Sequence, residues 1–190
     1  RRNGIQENDT SDAHMIKDVV LSQYKAVIYL STQGEVLNPA QKAAFEQYIR
    51  SGGGFVGIHS AADTEPQWPW YVGLVGTKYG GSHSDIVRGM IRRLEGSHAS
   101  TKELPELLDW VDEWYNFSPN PKVNGATILL TLDESSYDGG AMGGDHPIAW
   151  YHPYDGGRAW YTAGGANKAV WKERNFLEHV WGGIQYAAQF

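Results

Sequence analysis

Two β-prone apolar runs flank a helix-patterned stretch closed by three glycines, and this order constrains the fold more than any other feature of the chain. The first run, "YKAVIYLS" (24–31), reads as a buried strand. Asn38 and Pro39 mark a helix start: a short polar side chain caps free backbone N–H groups, and proline lacks the N–H that would go unpaired there. Ala43, Ala44, Phe45, Tyr48 and Ile49 fall on one apolar stripe, and Gly52–Gly54 end it. "FVGIHS" (55–60) is the next strand. Strand, helix, glycine, strand is a βαβ unit, which requires parallel pairing and an α/β architecture.

Upstream, "DAHMIKDVVLSQ" reads as a short helix. Downstream, the proline- and aromatic-rich excursion "ADTEPQWPWYVGLVGTKYGGSHS" holds a short helix around Trp70–Val75. "IVRGMIRRL" alternates as a half-buried strand, and "WVDEWYNF" is strand or irregular. "ATILLTLD" is a strand, and "HPIAWYHPYDGGRAWYTAGG" reads as two strands joined at Asp155-Gly156-Gly157. "NFLEHVWGGIQYAAQ" is helical in period despite its glycine pair. No repeat or linker divides 1–190, so one domain is expected.

A net charge of −6 and scattered basic residues argue against a nucleic-acid surface. No apolar run approaches the roughly 20 residues that span a bilayer. The opening Arg1-Arg2-Asn3-Gly4 is compatible with a removed leader, which leaves secreted and cytoplasmic locations open. The absence of cysteine removes disulfides, thiolate metal sites and cysteine nucleophiles together. Asn8-Asp9-Thr10 and Asn116-Phe117-Ser118 fit the glycosylation pattern. Eight Trp and eleven Tyr beside 23 Gly suit sugar stacking and an ordinary loop-rich core alike.

"LSTQGEVLNPAQKAAFEQYIRSGGGFVGIHSAADTEPQWPWYVGLVG", "DEWYNFSPNP", "LLTLDESSY", "GGDHPIAWYHPYDGGRAWYTAGG" and "FLEHVWGGIQYA" together resemble the ThuA-like (trehalose utilisation) family over nearly the whole chain. The resemblance implies a fold like that of class I glutamine amidotransferases, a flavodoxin-like three-layer sandwich with a mostly parallel sheet. It also implies a first strand, normally preceding "RRNGIQENDT", that this chain lacks; two interior edges and apolar faces would then lie bare. The glutaminase reaction itself is not expected. The elbow carries His59 where those enzymes carry cysteine, and Gly165-Ala166 stands where the ThuA-like pattern reads Gly-His.

The implied role is carbohydrate-active: acid/base or metal-assisted chemistry on a keto-glycoside or disaccharide by a lyase, hydrolase or isomerase. The alternative is a non-catalytic carbohydrate-binding or assembly module on the same scaffold. Its partner would be a small-molecule or oligosaccharide ligand, with self-association if a neighbour donates the absent strand. His59 heads the site, since α/β sheets bind ligands beyond their strand carboxyl ends. Asp63 would orient it, hold a hydroxyl or cap a helix. On a strand, Asp112 and Glu113 face opposite sides, and Glu113 is the expected acid/base group or metal ligand. His146 completes the expected catalytic set, its tautomer fixed by Asp145, which otherwise binds sugar hydroxyls or caps a turn. By resemblance, Trp68, Trp70 and Tyr71 lie near the pocket, and His83 and His98 match family histidines. His59, His83 and His146 would offer imidazoles to a divalent metal such as zinc.

Overall fold

Asn38 accepts the Gln41 N–H at 3.0 Å while the Gln41 side chain accepts the Asn38 N–H at 2.7 Å, a reciprocal cap that fixes the start of α2 (Pro39–Arg50). α2 joins β1 (Ala26–Leu30) to β2 (Gly54–Ile58), and the two strands pair in parallel. The computed structural model describes residues 5–190; Arg1–Gly4, where a leader remnant was considered, lie outside them. α1 (Asp18–Leu21) is one turn long and precedes β1; α3 (Pro69–Val75) follows a 3-10 turn at the end of β2. Then come β3 (Tyr79–Arg93), β4 (Leu107–Phe117), β5 (Thr127–Asp133), β6 (His146–Tyr154), β7 (Gly157–Thr162) and α4 (Arg174–Ala188).

The seven strands make one sheet in the order β1-β2-β7-β6-β5-β3-β4. Only β1–β2 and β2–β7 are parallel; the other four pairings are antiparallel, so the expectation of a mostly parallel sheet is corrected. The connections explain it. β6 and β7 are joined through Asp155 (φ +46°) and Gly156 (φ +93°), a two-residue turn of left-handed residues that can only reverse the chain. β3 and β4 form a long ribbon that outruns β5 and curls over the carboxyl ends of the parallel strands: Asp112 bonds the loop after β7, and Phe117 packs 5.8 Å from Tyr161.

In the parallel half the layers follow strand alternation. Val27, Tyr29, Phe55 and Tyr161 share the face covered by α2 and α3, with Phe45 stacked on Tyr29 at 5.4 Å and Tyr71 edge-on to Phe55. Trp160 and Gly54 face α4. The glycine pair inside α4 serves this contact. A Cβ on Gly182 would lie 2.3 Å from the backbone of Ala99 and Ser100, and one on Gly183 would lie 2.4 Å from the Trp160 indole.

Among the described residues β1 is an edge strand with its outer row of backbone groups unpaired in the sheet, and Ile28 and Leu30 are 44 % and 54 % exposed. One flank is therefore open beside β1, rather than two interior edges. Asn116 is buried, its amide donating to Ser82 and Gly139, so that glycosylation triplet is closed in the fold. Among the described residues no helix is long and apolar enough to cross a membrane.

Candidate functional site

His59 opens the 3-10 turn His59–Asp63 directly after β2, with φ +52°. A left-handed backbone costs a residue with a Cβ about 1–3 kcal/mol, and such strain persists only where the surroundings enforce it. Here they do: Tyr161 donates its hydroxyl proton to the His59 carbonyl at 2.6 Å, and Tyr71 donates to Ala61 in the same turn at 3.0 Å. Ser31 after β1 (φ +50°) and Glu65 after the turn (φ +49°) are strained alike. Glu65 is fully buried; it accepts the N–H groups of Val36 and Leu37, both at 2.7 Å, and ion-pairs with Lys42. The loop so pinned carries Gln33, whose amide faces the Tyr115 hydroxyl.

The ring of His59 lies 3.0 Å (Nδ1) from the Ala163 carbonyl oxygen and 3.1 Å (Nε2) from Glu113 Oε2. A carbonyl only accepts, so Nδ1 carries a proton and donates it to Ala163. One further proton then belongs between Nε2 and the carboxyl group. Glu113 Oε1 lies 3.4 Å from Nδ1 of His83, which donates chiefly to the Ser84 carbonyl at 2.7 Å. The Tyr115 ring is 4.5 Å from both the His59 and Tyr79 rings. Burial, reinforced by the Glu113 charge, pushes the Tyr115 phenol up to about 12, so it stays a proton donor at neutral pH. Burial likewise raises Tyr79, with help from Asp63 and Glu113, and raises the carboxyl of Asp63. Glu113 is 24 % exposed and His83 44 %, so the cluster is open to solvent on the ribbon side.

Several expected members lie elsewhere. His146 is fully buried on the far side of β4; Nε2 donates to the Tyr115 carbonyl at 2.9 Å and Nδ1 faces Glu134 Oε1 at 2.8 Å. The Tyr115 backbone separates it from His59, and Glu134, not Asp145, is its carboxylate partner. Asp145 instead pairs with Lys122 at 2.5 Å and Asn120 at 3.2 Å. Trp70 donates its indole N–H to Asp155 at 2.7 Å, in the turn at the amino end of β7, opposite His59. Trp68 stacks on Trp70 at 5.1 Å beneath Lys42, so both indoles close the α2–α3 layer. Tyr71 is buried under the 3-10 turn. His98 packs between Tyr151 and Tyr186.

With both ring nitrogens of His146 committed, His59, His83 and His146 do not converge. Among the described residues no group of three or more His, Asp or Glu side chains is arranged to hold a metal ion. Cavities of about 410 Å³ by Arg92 and Glu134, and about 230 Å³ by Ser100 and Glu178, open on other faces.

Tyr115, Tyr79 and Gln33 were not singled out from the sequence, and Asp112 was named there only as the carboxylate facing away from Glu113. Tyr115 was within reach, because it stands two residues from Glu113 and strand alternation puts both on one face. Tyr79 and Gln33 arrive by tertiary closure, which no local pattern announces.

A solved ThuA-like protein of Bacteroides uniformis is 26% identical and superposes with a TM-score of 0.80, covering 94% of this chain and 75% of its own. One of Parabacteroides merdae is 18% identical with a TM-score of 0.75, covering 96% and 76%. A β-galactosidase from Bacillus circulans shares the fold alone, at 15% identity and a TM-score of 0.57, over 88% of this chain and 22% of that one. A comparison with curated proteins finds no match. The family model described as "ThuA: Trehalose utilisation" matches residues 1–187, and the chain belongs to that family.

Proposed function

We propose that the protein is a carbohydrate-active enzyme that moves a proton on a keto-glycoside or disaccharide, with His59 and Glu113 as its acid–base pair. The observation that carries this reading is the 3.1 Å approach of His59 Nε2 to Glu113, with Nδ1 already committed to Ala163. Such a pair takes one proton and returns it without turning the ring. Glu113, open to solvent, would remove the proton from a carbon next to a ketone. The Tyr115 hydroxyl, held protonated, would donate to the enolate oxygen that forms. Proton return to the opposite face of that carbon gives an epimer; expulsion of a neighbouring glycosidic oxygen, protonated by the pair, gives a lyase reaction. Tyr79, with its partly exposed ring, supplies an aromatic face for the sugar, the role that Trp68 and Trp70 are too remote to fill.

The test is solvent-deuterium exchange and turnover on trehalose, other disaccharides and their oxidised keto forms. The wild-type protein should exchange the carbon-bound proton beside the ketone. Glu113→Gln and His59→Gln should each lose about 10²-fold or more while keeping the denaturation midpoint within a few degrees. If no sugar is exchanged or turned over but sugar binding survives both substitutions, the protein is a binding module and the catalytic reading fails.

A further inference from the structure

Asp112 precedes Glu113 on β4, points to the opposite face and is fully buried. Its hydrogen bonds come from backbone amides: Gly165 N–H to Oδ2 at 2.7 Å, Asn167 N–H to Oδ1 at 2.8 Å and Glu113 N–H to Oδ1 at 3.0 Å. A buried carboxylate held this way is costly to keep, and desolvation raises its pKa against the pull of those amides. The loop that wraps it is built for the purpose. Gly165 sits at φ +122°, where a Cβ would also fall 2.8 Å from Ile58, and a Cβ on Gly164 would fall 2.9 Å from the Phe176 ring. The same loop begins with Ala163, the acceptor of the His59 Nδ1 proton.

We propose that Asp112 is a positioning residue: by holding the 163–167 loop and the Glu113 amide on one carboxylate, it aims His59 Nε2 at Glu113. Its use in turnover rests on the acid–base reading above, whereas its effect on the ring does not. Removing the carboxylate loosens the loop that follows Ala163 and leaves that residue held by its N–H bond to the Ile148 carbonyl at 2.7 Å, so its carbonyl can tilt and His59 is less firmly obliged to carry its proton on Nδ1.

Long-range proton–nitrogen NMR of histidine-labelled protein reads this directly. Wild-type His59 should show Nδ1 protonated throughout, with no population protonated on Nε2 alone. Asp112→Asn, whose amide cannot accept from Gly165 on that side, should show mixed tautomers, with kcat down tenfold or more and KM within twofold. Retention of the Nδ1–H form and of kcat, with only a lower denaturation midpoint, would overturn the proposal. Should Asp112→Asn not fold, hydrogen exchange of the wild type decides. Once divided into their intrinsic exchange rates, the rates of the Gly165 and Asn167 amides and the His59 ring proton should give protection factors within about threefold of one another, as for one opening event. Protection factors tenfold apart or more would sink the proposal. Failure to find turnover on any sugar would count against the proposed reaction alone, since the tautomer and exchange measurements need no substrate.

Discussion

Between pH 6.5 and 4 the fold is expected to lose stability, most of it through the buried His179 and the half-buried His98. His179 is fully buried in α4, with Nδ1 3.0 Å or less from the Ser100 carbonyl and Nε2 3.2 Å from the Thr162 hydroxyl; desolvation lowers it to about 4, and His98 adds repulsion. Desolvation lowers His98 to about 4 as well, against a weak opposing pull from Glu95. An unfolded histidine titrates near 6.5, so each ring binds a proton in the unfolded chain before it does in the fold. Each therefore contributes stability present above pH 6.5 and lost as pH falls toward 4, about 3 kcal/mol for His179 and less for His98, which solvent screens. His152, lowered by burial, acts in the same direction. Asp63 and Asp112, raised by burial, act in the opposite one. The His179 share alone is a sizeable fraction of the net stability of a domain, about 5–15 kcal/mol. Urea midpoints at pH 7.5, 6, 5 and 4 should fall steadily, and His179→Gln should be less stable at pH 7.5 yet show roughly half the dependence. A flat profile from pH 7.5 to 5 would refute the assignment.

Gly182→Ala should destabilise the protein by more than about 3 kcal/mol, although alanine is the better helix former by about 1 kcal/mol. The added methyl would meet the Ala99 carbonyl group and Ser100 Cα, all backbone, so no side-chain rotation relieves the contact. Either α4 lifts from Trp160 or the 98–101 segment opens, and that segment holds the Ser100 groups that bond His179 and Trp160. The drop in the urea midpoint measures the cost. A midpoint equal to or above the parent's would show that α4 does not lie this close.

Local elements were largely legible. The Asn38 cap, the α2 stripe and the Asp155–Gly156 reversal each follow from residues a few positions apart, and each forms where the pattern puts it, except that Ala43 faces solvent and Gln41 is buried beside Ala44, Phe45, Tyr48 and Ile49. The sheet's composition was not, because pairing direction depends on how β3 and β4 fold back, and nothing in "IVRGMIRRL" or "WVDEWYNF" states a partner. Within the site, the elbow and strand alternation brought His59 and Glu113 together. His146 opens β6 whereas His59 follows the end of β2, and nothing in "GGDHPIAW" states which side of β4 its ring takes. Trp68 and Trp70 show the limit of composition: the same rings serve packing or ligands, and the Asp155 and Phe45 contacts decide for packing.

The bare flank of β1 has a consequence for how the molecule behaves among others of its kind. From Ala26 to Leu30 no charged side chain or proline interrupts the row, and natural sheets use such interruptions to discourage accretion. Among the described residues, nothing on this edge would oppose an added strand, and the backbone groups of Ala26–Leu30 are the ones it would meet.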